Sequence, residues 1–247
     1  MKGLQLLCRD DLDLVLRGVD LDIPDGSRIG IAGRTGSGKS SLLAALFRVV
    51  EPCGGDMLVD GVSLRELSLD DVRSGLSILP QDAVLFAGSL RHSLDPFSQH
   101  TDSQLWSALQ AVQLELLVRR MPQQLDSAVT ECGTVLSAGQ KQLLCLGRAL
   151  LRRPRVLCLD EATASVDLAT DEVIQRVIRQ QLAASSTTLI TIAHHINTVL
   201  DYDRIIVMDR GRIAEQGSPD ELRRREGGAF ASMLWQTGEA QGNGEGD

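Results

Sequence analysis

A glycine-rich segment near the N-terminus has the residue types and spacing of a phosphate-binding loop. The stretch from Gly33 to Ser40 reads GRTGSGKS and matches the pattern G-x-x-x-x-G-K-S/T. It follows a short apolar run over 28–32 and precedes a helical run over 40–50, which is the context that the pattern needs. A glycine-rich turn at a helix start is the alternative interpretation, and these flanking runs argue against it.

The physical chemistry of such a loop explains its residues. Glycines let the backbone curl, so that successive N–H groups and the helix N-terminus point at phosphate oxygens. Lys39 can reach the β and γ phosphates, and the Ser40 hydroxyl can bind Mg²⁺. The predicted nucleotide-binding residues of this segment are Gly33, Arg34, Thr35, Gly36, Ser37, Gly38, Lys39, Ser40 and Ser41.

Two carboxylates follow an apolar run farther along the chain. The run 156–159 predicts a buried strand, and Asp160 and Glu161 come directly after it. Ligands of open α/β sheets bind at the carboxyl ends of the strands. Asp160 is therefore predicted to hold the Mg²⁺ shell, and Glu161 to orient or polarise the attacking water. For Glu161 alone, a carboxylate that stabilises a helix N-terminus is the alternative.

The elements that must position these residues follow an α/β pattern. Short β-like runs alternate with helical ones, which predicts a central parallel sheet, and 188–193 is a second apolar run of that kind. Residues from about 83 to 153 are mostly helical and predict a helical subdomain, in which Thr101 and Gln104 fit a capping box.

The last third of the chain has clear turn and cap signals. The runs 204–208 and 212–216 predict a hairpin, and Ser218 with Glu221 predicts the start of a last helix. The segment 236–247 is rich in Gly and Glu and predicts a disordered tail.

Composition excludes several classes of function. The chain has 25 Lys and Arg against 33 Asp and Glu, a net charge of −8, which argues against a surface that tracks nucleic acid or anionic lipid. Neither a membrane span nor a signal peptide is encoded, so the chain is expected to be soluble. Five cysteines without a CxxC pair favour reduced thiols over a disulfide or zinc framework.

Four further motifs carry a resemblance to a known family. They are LPQD at 79–82, LSAGQ at 136–140, ASVD at 164–167 and TIAH at 191–194. With these motifs in this order, the chain resembles the nucleotide-binding domain of ATP-binding cassette (ABC) transporters over about residues 4–235. LSAGQ matches the LSGGQ-type signature of that family except for Ala138 in place of a glycine.

The resemblance implies a fold and an activity. The fold is a P-loop NTPase core with a central, mostly parallel sheet, an antiparallel β subdomain and an α-helical subdomain, which together form one nucleotide-binding domain over 1–235. The activity is ATP hydrolysis coupled to transport, with ATP and Mg²⁺ as cofactors. Partners would be a second nucleotide-binding domain and, through coupling helices, the transmembrane domains of an exporter, at the cytosolic face of a membrane.

Family motifs transfer roles to matching positions of this sequence. Gln81 would contact nucleotide and, with Ser40 and Asp160, Mg²⁺; His194 would be catalytic together with Glu161 and Lys39. Two copies would pack head to tail, with the signature of one against the ATP of the other. The implied signature residues are Leu136, Ser137, Ala138, Gly139 and Gln140, and those of the loop after the second carboxylate are Ser165 and Asp167.

Each of these motifs also has a structural interpretation. Ser137 could simply cap the helix that starts near Gly139, and Asp167 could cap the helix near Ala169. Gln81 could be a solvated loop residue, and a lone histidine such as His194 at a strand end is more often structural than catalytic.

Finer resemblance points to the second nucleotide-binding domain of the C-subfamily, multidrug-resistance-associated exporters. The segments that carry it are 33–36, 85–91, 94–96 and 142–146. That domain usually keeps the Glu and has an altered signature, which fits Glu161 with Ala138. Within 129–133, Glu131 is a candidate for the contact with the intracellular loops of an exporter.

Two other functions compete with the transport motor. A regulatory nucleotide-binding module with little turnover is favoured by Cys8 and Ala138 and opposed by Glu161 and His194. A soluble ABC ATPase outside transport would need long coiled-coil insertions or a tandem second cassette, and this sequence has neither.

The adenine side departs from the family pattern and yields a first prediction. When Leu12, Val15 and Leu16 are aligned with the apolar pattern of the family, Cys8 falls where the family has the aromatic residue that stacks on adenine. No Phe, Tyr or Trp precedes Phe47 in the sequence. Base–aromatic stacking is worth roughly 1–3 kcal/mol, so we expect weak ATP binding and poor discrimination against GTP. Titrating both nucleotides should show that Cys8→Tyr gains ATP affinity; no gain would reject the idea. A ring from a segment before Met1 is the alternative.

Overall fold

A computed structural model describes residues 1–7, 13–129, 136–162, 166–183, 186–193 and 196–242. Within these ranges the strands are β1 (Lys2–Leu6), β2 (Leu16–Val19), β3 (Arg28–Gly33), β4 (Gly54–Asp56), β5 (Leu58–Val59), β6 (Val62–Ser63), β7 (Leu76–Leu79), β8 (Gly88–Ser89), β9 (Ala128–Val129), β10 (Val156–Asp160), β11 (Thr188–Ile192), β12 (Arg204–Asp209) and β13 (Arg212–Gly217).

The α-helices of the described ranges are α1 (Lys39–Leu46), α2 (Leu69–Gly75), α3 (Leu90–Leu94), α4 (Asp102–Ala111), α5 (Glu115–Arg119), α6 (Ala138–Leu151), α7 (Leu168–Ala183), α8 (Pro219–Arg224) and α9 (Ala229–Gly242). Short 3₁₀ helices cover Gln124–Asp126 and Ile196–Val199. No described helix has the length and apolar character needed to cross a membrane.

The first compact unit comprises residues 1–76 and 188–247. Its main sheet has β3 between β11 and β12, parallel to both, and the hairpin partner β13 is antiparallel to β12. The interior residues of β3, including Ile29 and Ile31, are buried, as is typical of a parallel strand covered on both faces. A separate antiparallel sheet has the order β2-β1-β4. The predicted mixture of parallel and antiparallel sheets is confirmed.

The second compact unit comprises residues 77–187. Its centre is α6, which contacts α3, α4 and α7 and buries Leu143, Leu144 and Leu146. The unit is larger than the predicted helical stretch of 83–153, because β7, β10 and α7 cluster with the helices. The predicted capping box of Thr101 and Gln104 starts α4, and Thr101 N donates to Gln104 Oε1 over 2.9 Å.

The observed ends of two helices differ from those predicted from the sequence. Helix α1 ends at Leu46 and not at residue 50, since Arg48 takes a left-handed φ of 48° that stops the helix. Helix α9 continues to Gly242, past residue 236 where the tail was expected to begin, because Glu, Ala and Gln in this stretch are good helix formers. The hairpin of 204–217 is confirmed, and Ser218 caps a helix as predicted. That helix, α8, is not the last one, because α9 follows from Ala229.

Candidate functional site

The turn between β3 and α1 has no space for a side chain at two of its glycines. At Gly33, with φ +150°, a Cβ atom would lie 2.4 Å from the carbonyl oxygen of Met208. At Gly38, with φ +104°, it would lie 3.0 Å from a methyl carbon of Leu16. Both positions combine a backbone conformation that favours glycine with close neighbours. The loop therefore has a defined shape that any larger residue would disrupt.

This loop presents the N-terminus of α1 without a capping side chain. Gly38 is the N-cap residue, no side chain accepts a hydrogen bond there, and the first turn carries no acidic residue. Backbone N–H groups at such a helix start attract anions. Lys39 Nζ donates to the carbonyl oxygens of Gly33 at 2.8 Å and Arg34 at 3.2 Å, which places its ammonium group over the loop. Positive potential from the helix and the lysine is thus concentrated at one turn.

The remaining residues of the loop divide into exposed and buried ones. Arg34, Thr35, Gly36 and Ser40 are exposed. Ser37 is buried, its N–H donates to the Arg34 carbonyl over 3.1 Å, and its carbonyl accepts from Gly211 N over 3.0 Å. Ser37 therefore fixes the shape of the loop from inside, whereas the Ser40 hydroxyl is open to a ligand.

Strand β10 positions the two predicted carboxylates at its end. Its first four residues are buried, and Asp160 and Glu161 are half-buried. Burial, together with the nearby charge of Asp160, raises the pKa of the Cys158 thiol, so Cys158 is a neutral packing group. Cys53, Cys145 and Cys158 are free thiols, consistent with the prediction of reduced cysteines for the part of the chain that the structure describes.

Glu161 has a strained backbone. Its φ is +48°, a left-handed value that costs a non-glycine residue on the order of 1–3 kcal/mol and persists only where surrounding contacts hold it. Seven other non-glycine residues of the described ranges also have a positive φ, among them Arg48 at the end of α1, so this φ value alone does not mark a functional site. The sequence carries no signal of this strain.

Gln81 lies in an exposed bend directly after β7 and Pro80. The backbone on either side of this bend is tied to α6: Gln142 Nε2 donates to the Pro80 carbonyl over 2.7 Å, and Arg148 Nη2 donates to the Val84 carbonyl over 3.1 Å. The side chain of Gln81 is exposed, as the alternative of a solvated loop residue predicts. The backbone on both sides of Gln81 is nevertheless held by hydrogen bonds from α6. Sequence reasoning missed Gln142 and Arg148.

The signature segment starts α6 with a capping box. Ser137 Oγ accepts from Gln140 N at 3.2 Å, and Ser137 N donates to Gln140 Oε1 at 2.9 Å. The cap interpretation of Ser137 is confirmed, yet its O–H still has a hydrogen to donate. Ala138 is exposed, so its methyl group has room and does not disturb the packing of α6. Leu136 is buried and packs within the unit.

Gly139 is buried against the start of α7. A Cβ atom there would lie 2.7 Å from both Cγ2 and Oγ1 of Thr170. Thr170 is itself held by Asp167, whose carboxylate accepts from Thr170 N at 3.0 Å and from its hydroxyl at 2.7 Å. These hydrogen bonds lower the pKa of Asp167. The cap interpretation of Asp167 is therefore confirmed, and the signature glycine has a packing reason of its own.

Four predicted residues lie outside the described ranges: Cys8, Glu131, Ser165 and His194. Their roles stay predictions.

The donors available in the two units suit a nucleotide with Mg²⁺. The loop of the first unit is a cradle that a Cβ atom would fill, with N–H groups and a lysine for phosphate. In the first unit Ser40 offers a hydroxyl oxygen, and in the second unit Gln81 and Asp160 offer an amide and a carboxylate oxygen. Mg²⁺ prefers oxygen ligands of these kinds, alongside water and phosphate oxygens. The described residues hold no cluster of three His, Cys, Asp or Glu side chains that could bind a metal.

Comparisons with known proteins agree with this geometry. A family model described as "ABC transporter" matches residues 16–164. The chain is 49% identical over 226 residues to ATP-binding cassette sub-family C member 2 of Rattus norvegicus, covering 92% of this chain and 14% of that protein. It is 49% identical to multidrug resistance protein mrp-7 of Caenorhabditis elegans, covering 92% of this chain and 15% of that protein. The chain thus spans about a seventh of the length of these relatives.

A solved structure is similar over nearly the whole chain. It is described as a bacterial Atm1-family ABC exporter with ATP bound, and it superposes with a TM-score of 0.88 at 34% identity. The superposition covers 96% of this chain and 41% of that chain.

The contact between Gly139 and Thr170 yields a second prediction. Gly139→Ala should lower the free energy of unfolding by about 1–3 kcal/mol, the usual cost of overpacking, because Thr170 is stiff at χ1 and held by Asp167. Urea denaturation should show a smaller loss when Thr170→Ala removes the two contacting atoms first. The exposed neighbour Ala138→Gly is the control and should cost less than about 1 kcal/mol. An equal loss in both backgrounds would contradict the steric account.

Proposed function

Because the chain belongs to the ABC transporter family, we propose that it is the ATP-binding and ATP-hydrolysing motor domain of an exporter. Members of this family are ATPases coupled to transport. The single observation that carries the proposal is the turn between β3 and α1. There the Lys39 ammonium group lies beside a helix N-terminus that has no capping side chain, and two glycines of the turn have no space for a Cβ atom.

Phosphate binding follows from that turn. The β and γ phosphates of ATP would accept hydrogen bonds from backbone N–H groups of 34–40 and from Lys39 Nζ. Bound Mg²⁺ would neutralise part of the phosphate charge. Ser40, Gln81 and Asp160 would hold it through their oxygen atoms. The half-buried position of Asp160 at the end of a buried strand supports this role, since a strand end holds a carboxylate rigidly.

Hydrolysis would depend on Glu161. Its carboxylate would accept a hydrogen bond from water and orient that water for in-line attack on the γ phosphate. The position of Glu161 directly after the buried strand β10, next to Asp160, supports this role. His194 would contact the γ phosphate from the segment after β11, and Lys39 would stabilise the charge that develops there.

A second nucleotide-binding domain would complete each site. The Ser137 hydroxyl, the first-turn N–H groups of Ala138 and Gly139, and Gln140 would face the γ phosphate held by the partner domain, with Asp167 nearby in the interface. Helix α6 has 14 residues and no acidic residue in its first turn, which favours an anion at its N-terminus. Ala138 keeps the backbone N–H that such a contact uses, so the substitution in the signature does not argue for loss of turnover.

Transmembrane domains are proposed partners of the second unit. Val84, Phe86 and Phe97 are exposed there, Phe97 to 72%, and exposed apolar side chains of this size mark interaction surfaces when they cluster. Val84 and Phe86 lie three and five residues after Gln81, so this segment would link the ATP site to a coupling helix. The identity with sub-family C relatives supports the C-subfamily, and the altered signature supports the second domain of such an exporter.

A third prediction tests the role of Glu161. Glu161→Gln should lower single-turnover ATP hydrolysis by about 10²–10⁴-fold, the usual contribution of a general base, while ATP binding survives. The measurement is phosphate release from the chain mixed with a partner nucleotide-binding domain. Glu172→Gln, which removes the same charge from the exposed face of α7, is the control and should hydrolyse ATP normally.

The same mixture, measured at steady state with excess ATP, separates the motor from a regulatory module. A motor turns over repeatedly at steady state with the partner domain supplied. Equal rates for Glu161→Gln and the unaltered chain would reject the assigned role of Glu161.

A further inference from the structure

Gln142 is a buried polar side chain in the middle of the apolar face of α6. Only 2% of its surface is exposed. Its Nε2 atom donates one hydrogen bond to the carbonyl oxygen of Pro80 and a second to that of Ala162, each over 2.7 Å. Both amide hydrogens are therefore used, and both acceptors are backbone atoms of loops.

The two acceptors are next to the residues on which the proposed chemistry depends. Pro80 directly precedes Gln81, and Ala162 directly follows Glu161. One nitrogen atom bonded to both carbonyl oxygens keeps those oxygens within twice a hydrogen-bond length of each other. A single side chain thus limits the separation of two loops whose bonded residues, Pro80 and Ala162, are far apart along the chain.

The backbone conformation of Glu161 requires such a restraint. A left-handed φ at a glutamate persists only when its neighbours hold it. The carbonyl of the next residue is fixed by Gln142, and because that hydrogen bond is buried, water cannot replace it. Ala162 itself is buried as well, so the segment has a firm anchor directly after Glu161.

The loop of Gln81 is held by α6 at a second point. The Val84 carbonyl accepts from Arg148 Nη2 at 3.1 Å, and Cys145 Sγ lies 3.5 Å from the same oxygen. The guanidinium of Arg148 also stacks over the ring of Phe86, 5.1 Å from its centroid. Gln142 and Arg148 therefore fix Pro80 and Val84, which flank the three residues 81–83.

We propose that Gln142 is a positioning residue, which holds Gln81 and Glu161 in a fixed arrangement relative to the signature helix α6. The inference rests on the proposed function for the roles of those two residues. Ser137 starts the same helix, so a displacement of α6 at its N-terminus would reach both loops through one amide group. Gln142 would in this way connect the signature segment with Gln81, which is proposed to bind Mg²⁺, and with Glu161, which is proposed to orient the attacking water.

Hydrogen–deuterium exchange of the chain without nucleotide tests the anchoring directly. Gln142→Met keeps the length of the side chain and removes both donors. Peptides that contain Gln81 and peptides that contain Glu161 should then both exchange faster. Arg148→Met should speed exchange in the first set only. Leu146→Ala, a buried control on the same helix, should change neither set beyond its effect on global stability.

The outcomes decide the inference. Faster exchange of both peptide sets in Gln142→Met, but not in Leu146→Ala, supports the inference. Faster exchange of both sets in Gln142→Glu supports it as well, because that variant keeps the shape of the side chain but places acceptor oxygens against the two carbonyl oxygens. Unchanged exchange in Gln142→Met, or equal changes in Gln142→Met and Leu146→Ala, would overturn it. If Gln142→Met does not fold, the Gln142→Glu variant and the one-sided effect of Arg148→Met decide in the same way.

Kinetics provide a second readout that general destabilisation would not mimic. Misplacement of a catalytic group by about 1 Å can cost on the order of a hundredfold in rate, so kcat for ATP should fall by about ten- to a hundredfold in Gln142→Met. KM should stay near that of the unaltered chain, because the phosphate loop is not touched. Leu146→Ala should keep the kcat of the unaltered chain when each variant is assayed at the same number of degrees below its own Tm.

Failure of the inference and failure of the proposed function look different. If Glu161→Gln hydrolyses ATP normally while exchange rises in both peptide sets, the role of Glu161 is wrong and the anchoring by Gln142 stands. If Glu161→Gln is inactive and exchange does not respond to Gln142→Met, the motor function stands and the positioning role is wrong.

Discussion

The close approach of backbone to backbone at the turn between β3 and α1 is the constraint on which the rest of the site depends. Gly33 lies so near the Met208 carbonyl that no side chain fits, and this contact brings β12 and the helix start together. The buried strand β3 fixes where the turn begins, and the buried leucines of α1 fix where the helix points. The N-terminal N–H groups of α1 and the Lys39 ammonium group, which donates to the Gly33 carbonyl, are therefore held by buried elements, and such a helix start attracts anions.

In the second unit, a single helix organises the functional segments. The N-terminus of α6 is fixed by the capping box of Ser137 and Gln140, and its first turn packs on Thr170 through Gly139. One turn later, Gln142 ties the backbone beside Gln81 to the backbone beside Glu161. Capping, steric fit and buried hydrogen bonds come from the same 14-residue element, which holds backbone segments that are far apart in sequence close to one helix.

Local patterns in the sequence predicted the parts of the fold that depend on local physics. The strand–turn–helix around Gly33–Ser40, the hairpin of 204–217 and the capping boxes at Thr101 and Ser218 each need only a few neighbouring residues, and each is present. Gln142 could not be recognised in this way, because its partners are 62 and 20 residues away and are backbone carbonyls, which have no residue signature. The strain at Glu161 has no local cause either. The end of α1 was misplaced because an apolar run continues past Arg48, whose φ is left-handed and whose side chain donates to the distant carbonyls of Leu64 and Leu67.

The central claim is that the turn after β3 holds the phosphates of ATP with the help of Lys39. Calorimetric titration of ATP with Mg²⁺ into the chain tests it most directly, with Arg223→Met as a control that removes one positive charge from α8. A hydrogen bond to a charged group is worth about 1.5–3 kcal/mol, so Lys39→Met should weaken binding by about ten- to a hundredfold while the control binds normally. Equal affinity of Lys39→Met and the unaltered chain would contradict the account.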